Sequence, residues 1–268
     1  MINNPVHTIR KNLQIGNPVW IYIGINVVVF LLVILLGAKE QALNLFAVAS
    51  RPGLGFAKIY TVFTHTFIEL SFVSLAVNAL WLYWMGGLLL DFTKNRQFHV
   101  IYLGGGLIGG LCYLVCVSLN LFSAASTGPL YGAYTGVVAI LAAVATLIPN
   151  YSLQLMFFGF VRIKFIVGFY ILLNLALTTG NQPILALAHV AAALFGFAYI
   201  KLLQNGINLS SLYKKKPKMK IVRNDMPKKS GQHFNQKEID AILDKISKSG
   251  YENLNRAEKE TLFRASNQ

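Results

Sequence analysis

Six runs of apolar residues dominate the chain, at 19–37, 72–90, 98–119, 130–148, 165–178 and 183–203. A helix rises about 1.5 Å per residue, so about 20 apolar residues cross a hydrocarbon core of roughly 30 Å. The fifth run is read as starting near Phe160, which brings it close to that length. Inside lipid every backbone N–H and C=O must find a partner within the protein, and helices are the form that such runs take. The expected fold is an all-α polytopic membrane protein. A polar segment at 1–17 precedes a six-helix membrane domain at 18–205.

Composition agrees with this reading. The 268 residues are 55% hydrophobic and 13% charged, whereas a soluble domain carries about 25% charged residues. The net charge of +14 is concentrated after residue 200, so it argues for membrane topology and anionic lipid rather than for nucleic acid. Arg10 and Lys11, the turn with Lys94 and Arg96, the connection with Arg162 and Lys164, and the tail are basic, while the connections at 120–129 and 179–182 carry no charge. The positive-inside rule then puts both termini in the cytoplasm and the 38–71 connection outside; within it, 42–49 is amphipathic enough to lie in the interface. Residues 1–11 lack the apolar core of a signal peptide, so the first run is expected to remain as a helix. Cys112 and Cys116 lie four apart in one apolar run with no third ligand nearby, which reads as free thiols. No metal and no cofactor is expected.

After the sixth run, a basic linker at 206–234 contains Lys214, Lys215, Lys216, Lys218 and Lys220. Beside a membrane helix each such charge favours anionic headgroups by about 1 kcal/mol. Residues 235–268 read as a small cytoplasmic helical hairpin. Asn235 with Glu238, and Asn255 with Glu258, have capping-box spacing, and Gly250 is a stop between them. Ile239, Ile242, Leu243 and Ile246 form one apolar stripe that Leu262 and Phe263 can cover.

In the fourth run, Gly132 and Gly136 stand four apart, a spacing that lets a neighbouring helix approach closely in lipid. Tyr134 and Thr135 lie between them. With the orientation above, the second, fourth and sixth helices enter from one side. Asn78, Tyr134 and His189 each fall about four to six residues along, roughly 6–9 Å deep. Any one of them alone serves as interhelical glue. Together at one level, with a histidine inside a membrane helix, they form a candidate site.

Several segments carry a likeness that extends over about 15–205. They are Phe63-Thr64-His65, Asn78-Ala79-Leu80-Trp81-Leu82-Tyr83-Trp84-Met85-Gly86, Gly132-Ala133 with 137–140, Ala188-His189, and Ala193-Leu194-Phe195-Gly196. Taken together the chain resembles the rhomboid family of intramembrane serine proteases. The tail also resembles, more weakly, the helical segment behind some bacterial rhomboids. The resemblance implies residence in a bacterial cytoplasmic membrane. It also implies a serine nucleophile on the fourth helix, a histidine base on the sixth, and a His and an Asn four apart on the second to hold the oxyanion.

The chain departs from that pattern at decisive positions. Tyr134 stands where the serine is expected, with Thr135 following; Ser74 stands where the second-helix histidine is expected. Ala191 and Ala192 replace glycines after the base position, while His189 and Asn78 are kept. A phenol oxygen lies too far from the backbone to reach a carbonyl placed for serine. Thr135 is turned about 100° away from the face that meets His189. Ser123 and Ser126 have no positional match. The leading expectation is therefore a rhomboid-like pseudoprotease that binds transmembrane segments of client proteins. The alternative is an active intramembrane endopeptidase with non-standard residues. A small-molecule transporter finds no paired broken helices and no buried charge in this reading.

Overall fold

Asn17 opens the first membrane helix: its side chain accepts a hydrogen bond from the Val19 N–H at 2.9 Å, and Pro18 takes the first helical position. This computed structural model describes residues 16–51, 57–121, 128–155, 159–180, 182–207 and 236–266. The segments 1–15 and 208–235 lie outside them, so most of the N-terminal segment, the basic linker with its five lysines and the Asn235 cap receive no structural account. The chain divides into two compact units, 1–214 and 215–268.

In the first unit, α1 (Pro18–Leu35) is followed by α2 (Lys39–Phe46), the one-turn α3 (Thr61–Thr64) and a 3-10 turn at His65–Phe67. Then come α4 (Phe72–Phe92), α5 (Asn95–Ser118), α6 (Tyr134–Leu147), the strands β1 (Ser152–Leu155) and β2 (Gly159–Arg162), α7 (Ile163–Thr179) and α8 (Pro183–Gln204). Each of the six apolar runs thus contains one helix. By length and composition α1, α4, α5 and α8 are fit to cross a membrane, while α6 and α7 are shorter. At 14 residues α6 is about 21 Å long. It is also the most enclosed helix, buried at every position from Thr135 to Val144, so its short span is surrounded by protein.

Glycines set how closely its neighbours approach. A Cβ on Gly196 of α8 would run into the Ala139 carbonyl of α6, and one on Gly136 would meet the Tyr102 ring and carbonyl of α5 at 2.8–3.0 Å. Close backbone approach lets dispersion substitute for the hydrophobic effect, which does not drive helix association in lipid. Large apolar side chains such as Leu31, Leu32, Phe165, Phe169 and Leu177 remain exposed on α1 and α7, as lipid-facing positions require.

Three local expectations change. First, the fourth run does not become helical at Leu130. Leu130 pairs with Val48 in an extended bridge, Val48 N–H to Leu130 O at 3.0 Å and Leu130 N–H to Val48 O at 3.1 Å. Gly132 then turns at φ +104°, a conformation glycine adopts without cost. Gly132 and Gly136 therefore do not share a helix face. Second, the interfacial helix expected at 42–49 lies at Lys39–Phe46, because Ala47 is extended and Val48 is paired with Leu130. Third, the all-α expectation omitted the two-stranded antiparallel ribbon that leads into α7, with Ser152 opposite Arg162 and Leu155 opposite Gly159. Helix α7 consequently begins at Ile163, three residues after Phe160.

The second unit contains α9 (Gln236–Ser249), a 3-10 turn at Tyr251–Asn253 and α10 (Arg256–Ser266). Gly250 stops α9 at φ +81°. Asn255 and Glu258 form a reciprocal capping box: Asn255 N–H donates to Glu258 Oε2, and Glu258 N–H to Asn255 Oδ1, both at 2.8 Å. Lys245 Nζ lies 2.9 Å from Glu258 Oε1 and ties the two helices. The buried apolar residues are Ile242 and Leu254, whereas Leu243 and Phe263 stay exposed. The turn residue Leu254 supplies cover that the apolar stripe alone assigned to Leu262 and Phe263.

Candidate functional site

The fold brings His189 of α8 against Tyr134 at the start of α6. The Tyr134 and His189 rings lie 4.3 Å apart between centroids, tilted by 55°. The contact is ring to ring. The phenol oxygen is buried and meets no ordinary hydrogen-bond geometry among the described residues; its polar neighbour is the hydroxyl of Tyr170 on α7. Tyr134 bonds neither His189 nor Asn78. Its long side chain carries the oxygen past the imidazole, toward α7.

His189 is 7% exposed. Its Nδ1 lies 3.1 Å from Asn174 Oδ1 on α7. An amide oxygen accepts, so Nδ1 is the donor, an arrangement that fixes the ring and leaves Nε2 as the acceptor nitrogen. The aromatic contacts continue beyond this pair. Tyr134 to Tyr170 is 6.1 Å, Tyr170 to Trp81 is 4.5 Å and Trp81 to Trp84 is 6.2 Å. These rings join α8, α6, α7 and α4.

Thr135 points elsewhere, as its place on the helix requires. Its Oγ1 lies 3.3 Å from His65 Nε2, and His65 Nδ1 lies 3.2 Å from the Thr61 carbonyl. The carbonyl can only accept, so Nδ1 is the donor and the Thr135 hydroxyl donates to Nε2. This is a hydroxyl paired with a base, but Thr135 and His65 are both fully buried. Cβ atoms placed on Gly109 and Gly110 would lie 2.9 Å from Thr135 Cγ2 and 2.8 Å from His65 Cε1. So tight a packing leaves no room for a peptide carbonyl.

Asn78 faces a carboxyl group. Its Nδ2 donates to Glu69 Oε1 at 2.7 Å, Ser74 Oγ donates to Glu69 Oε2 at 2.6 Å, and the Ala133 N–H donates to Glu69 Oε1 at 3.0 Å. Glu69 is fully buried, and the Asn78 Oδ1 has no partner among the described residues. Asn78 therefore reaches Tyr134 indirectly, through Glu69 and the Ala133 amide that precedes Tyr134.

Sequence reasoning missed Glu69, Asn174 and Tyr170 as members of this cluster. Asn174 carried a usable signal, because an amide inside an apolar run demands a partner. Glu69 carried a weaker one, an acid at the edge of an apolar aromatic stretch. Cys112 and Cys116 are free, half-buried and buried respectively, and Cys112 Sγ lies 3.8 Å from the Leu187 carbonyl.

Residues 57–205 match the family of the Rhomboid domain. Residues 229–268 match a family of unknown function, DUF6576. No curated protein matches the chain.

Proposed function

The chain belongs to the rhomboid family, and we propose that it works there as a pseudoprotease, a multi-pass membrane protein that holds transmembrane segments of client proteins without cutting them. The observation that carries this reading is the packing of the Tyr134 ring on His189 at 4.3 Å. Acyl transfer needs a nucleophilic oxygen within about 3 Å of its base and donors aimed at the developing oxyanion. Tyr134 offers the imidazole a ring face and directs its oxygen to Tyr170. The Thr135 hydroxyl is committed to His65, and the donors beside Asn78 are committed to Glu69.

The alternative, an active endopeptidase with non-standard residues, draws on one observation. Asn174 orients His189 through Nδ1 at 3.1 Å, the arrangement that presents Nε2 as a base. Among the described residues no hydroxyl bonds Nε2, so the oriented base has nothing to activate there.

In this reading the six apolar helices all cross a bacterial cytoplasmic membrane, with α6 enclosed by the others and both termini in the cytoplasm. Lys214, Lys215, Lys216, Lys218 and Lys220 engage anionic headgroups, and the 235–268 hairpin docks a partner. The test uses full-length protein in bilayers with a labelled single-span client and photo-crosslinkers at Tyr170 and Trp84. Crosslinked, full-length client with no fragment supports the reading. Fragments, or no crosslink at any client concentration, overturn it.

A further inference from the structure

The cluster around Glu69 consists of three donors closing on two oxygens. Ser74 Oγ, Asn78 Nδ2 and the Ala133 N–H all point at a carboxyl group that is 0% exposed. Among the described residues no Lys, Arg or His forms an ion pair with it, so oriented dipoles alone compensate the oxygens. Hydrogen bonds of neutral donors to a carboxylate are stronger than those between neutral groups. A buried carboxylate without them would be costly.

The backbone is shaped to bring the donors in. The φ of +104° at Gly132 turns the chain so that Ala133 presents its N–H, and a Cβ at Gly132 would sit 3.5 Å from Glu69 Oε1. The same segment is stitched twice more. The Gly132 N–H donates to the His65 carbonyl at 2.9 Å, and Thr135 Oγ1 bonds His65 Nε2 at 3.3 Å. Glu69 thus stands at the junction of three pieces of chain: its own segment, α4 and the start of α6.

We propose that Ser74 Oγ, Asn78 Nδ2 and the Ala133 N–H form a carboxylate-binding site whose resident ligand is the chain's own Glu69, which latches the 65–69 segment onto α4 and α6. When that side chain is shortened, the site takes small monocarboxylates such as formate and acetate. Glu69 is here a positioning residue, and the proposal rests on hydrogen-bond geometry. It holds whether or not the protein cleaves anything, so turnover by the wild type would overturn the pseudoprotease reading and leave this one standing.

The test compares full-length wild type, Glu69→Ala, Glu69→Gln, Glu69→Asp and Glu69→Ala/Asn78→Ala in detergent, by thermal unfolding and by amide exchange at Ala133. Glu69→Ala melts lower than wild type. Sodium formate raises its Tm saturably beyond the effect of sodium chloride at equal ionic strength, and it does nothing specific to wild type or to the double variant. Glu69→Gln stays near wild type, because Oε1 still accepts from Asn78 and Ala133 while Nε2 donates to Ser74 Oγ. Glu69→Asp withdraws the carboxylate by one methylene, and Ala133 exchanges about tenfold faster, the equivalent of one lost hydrogen bond. These two variants decide the matter should Glu69→Ala fail to fold. A Glu69→Ala protein that melts like wild type, or that folds and ignores formate, overturns the proposal. So does Ala133 exchange that is equal in wild type and Glu69→Asp.

Discussion

Removing the phenol oxygen of Tyr134 while keeping its ring separates the structural account of this residue from a chemical one. In Tyr134→Phe the ring still packs on His189 at 4.3 Å and on Tyr170 at 6.1 Å. What is lost is a buried oxygen that meets no ordinary hydrogen-bond geometry. An unsatisfied buried polar group costs about 1–3 kcal/mol, whereas interhelical polar contacts in membranes average only about 0.6 kcal/mol. The weak contact with Tyr170 is therefore worth less than the burial it requires. Tyr134→Phe should be neutral or more stable by up to about 1 kcal/mol. Tyr134→Ala should cost about 2–3 kcal/mol, below the roughly 3–5 kcal/mol of a fully enclosed aromatic because the ring is half-buried. Reversible unfolding in mixed micelles, titrated from nonionic to anionic detergent, reads both values. A loss of about 1.5 kcal/mol or more in Tyr134→Phe would show that the oxygen makes a strong bond, and would refute the reasoning.

Three further outcomes follow from other parts of the chain. Gly196→Ala drives a Cβ into the Ala139 carbonyl; since backbone cannot give way as a side chain can, the cost should be at the upper end of the roughly 1–3 kcal/mol of overpacking, measured by the same unfolding assay. The Lys245 ammonium and the Asn255 amide beside Glu258 hold its carboxyl below its ordinary range. A lowered folded value favours the fold above the unfolded pKa of about 4.3 and is lost as pH falls through the folded one. The protection of amides across 236–266, relative to their intrinsic exchange rates at each pH, should thus fall on acidification in wild type and change less in Glu258→Gln. A reporter active only in the cytoplasm, fused after Gln268, should give signal; silence there with signal from a fusion within residues 38–51 would reverse the orientation.

The apolar helices were legible because lipid imposes a simple rule on length and hydropathy, and each of the six runs holds one. Helix ends were legible where a side chain acts locally, as the Asn255–Glu258 pair does. The start of α6 was not. It depends on Leu130 pairing with Val48, 82 positions away, and on the turn at Gly132, neither of which leaves a periodic trace. At the site, Asn78, Tyr134 and His189 were found because polar groups are rare in apolar runs. Their partners were harder to see. Whether His189 meets Asn174 or Tyr134 depends on a rotation of α7 that hydropathy does not encode, since α7 exposes most of its surface. Glu69 lies outside every apolar run, so nothing in its own neighbourhood reveals that three donors enclose it.

The central claim is that, among the described residues, an oriented base stands here without an oxygen to activate. The direct measurement is turnover of a rhomboid-type transmembrane substrate, together with fluorophosphonate labelling, by purified wild type, Tyr134→Phe, Thr135→Ala, His189→Ala and Tyr134→Ser. The account predicts no cleavage and no label in the first four. It predicts none in Tyr134→Ser either, because Glu69 still occupies the donors that an oxyanion would need. Cleavage by wild type that disappears in Thr135→Ala or His189→Ala would contradict it.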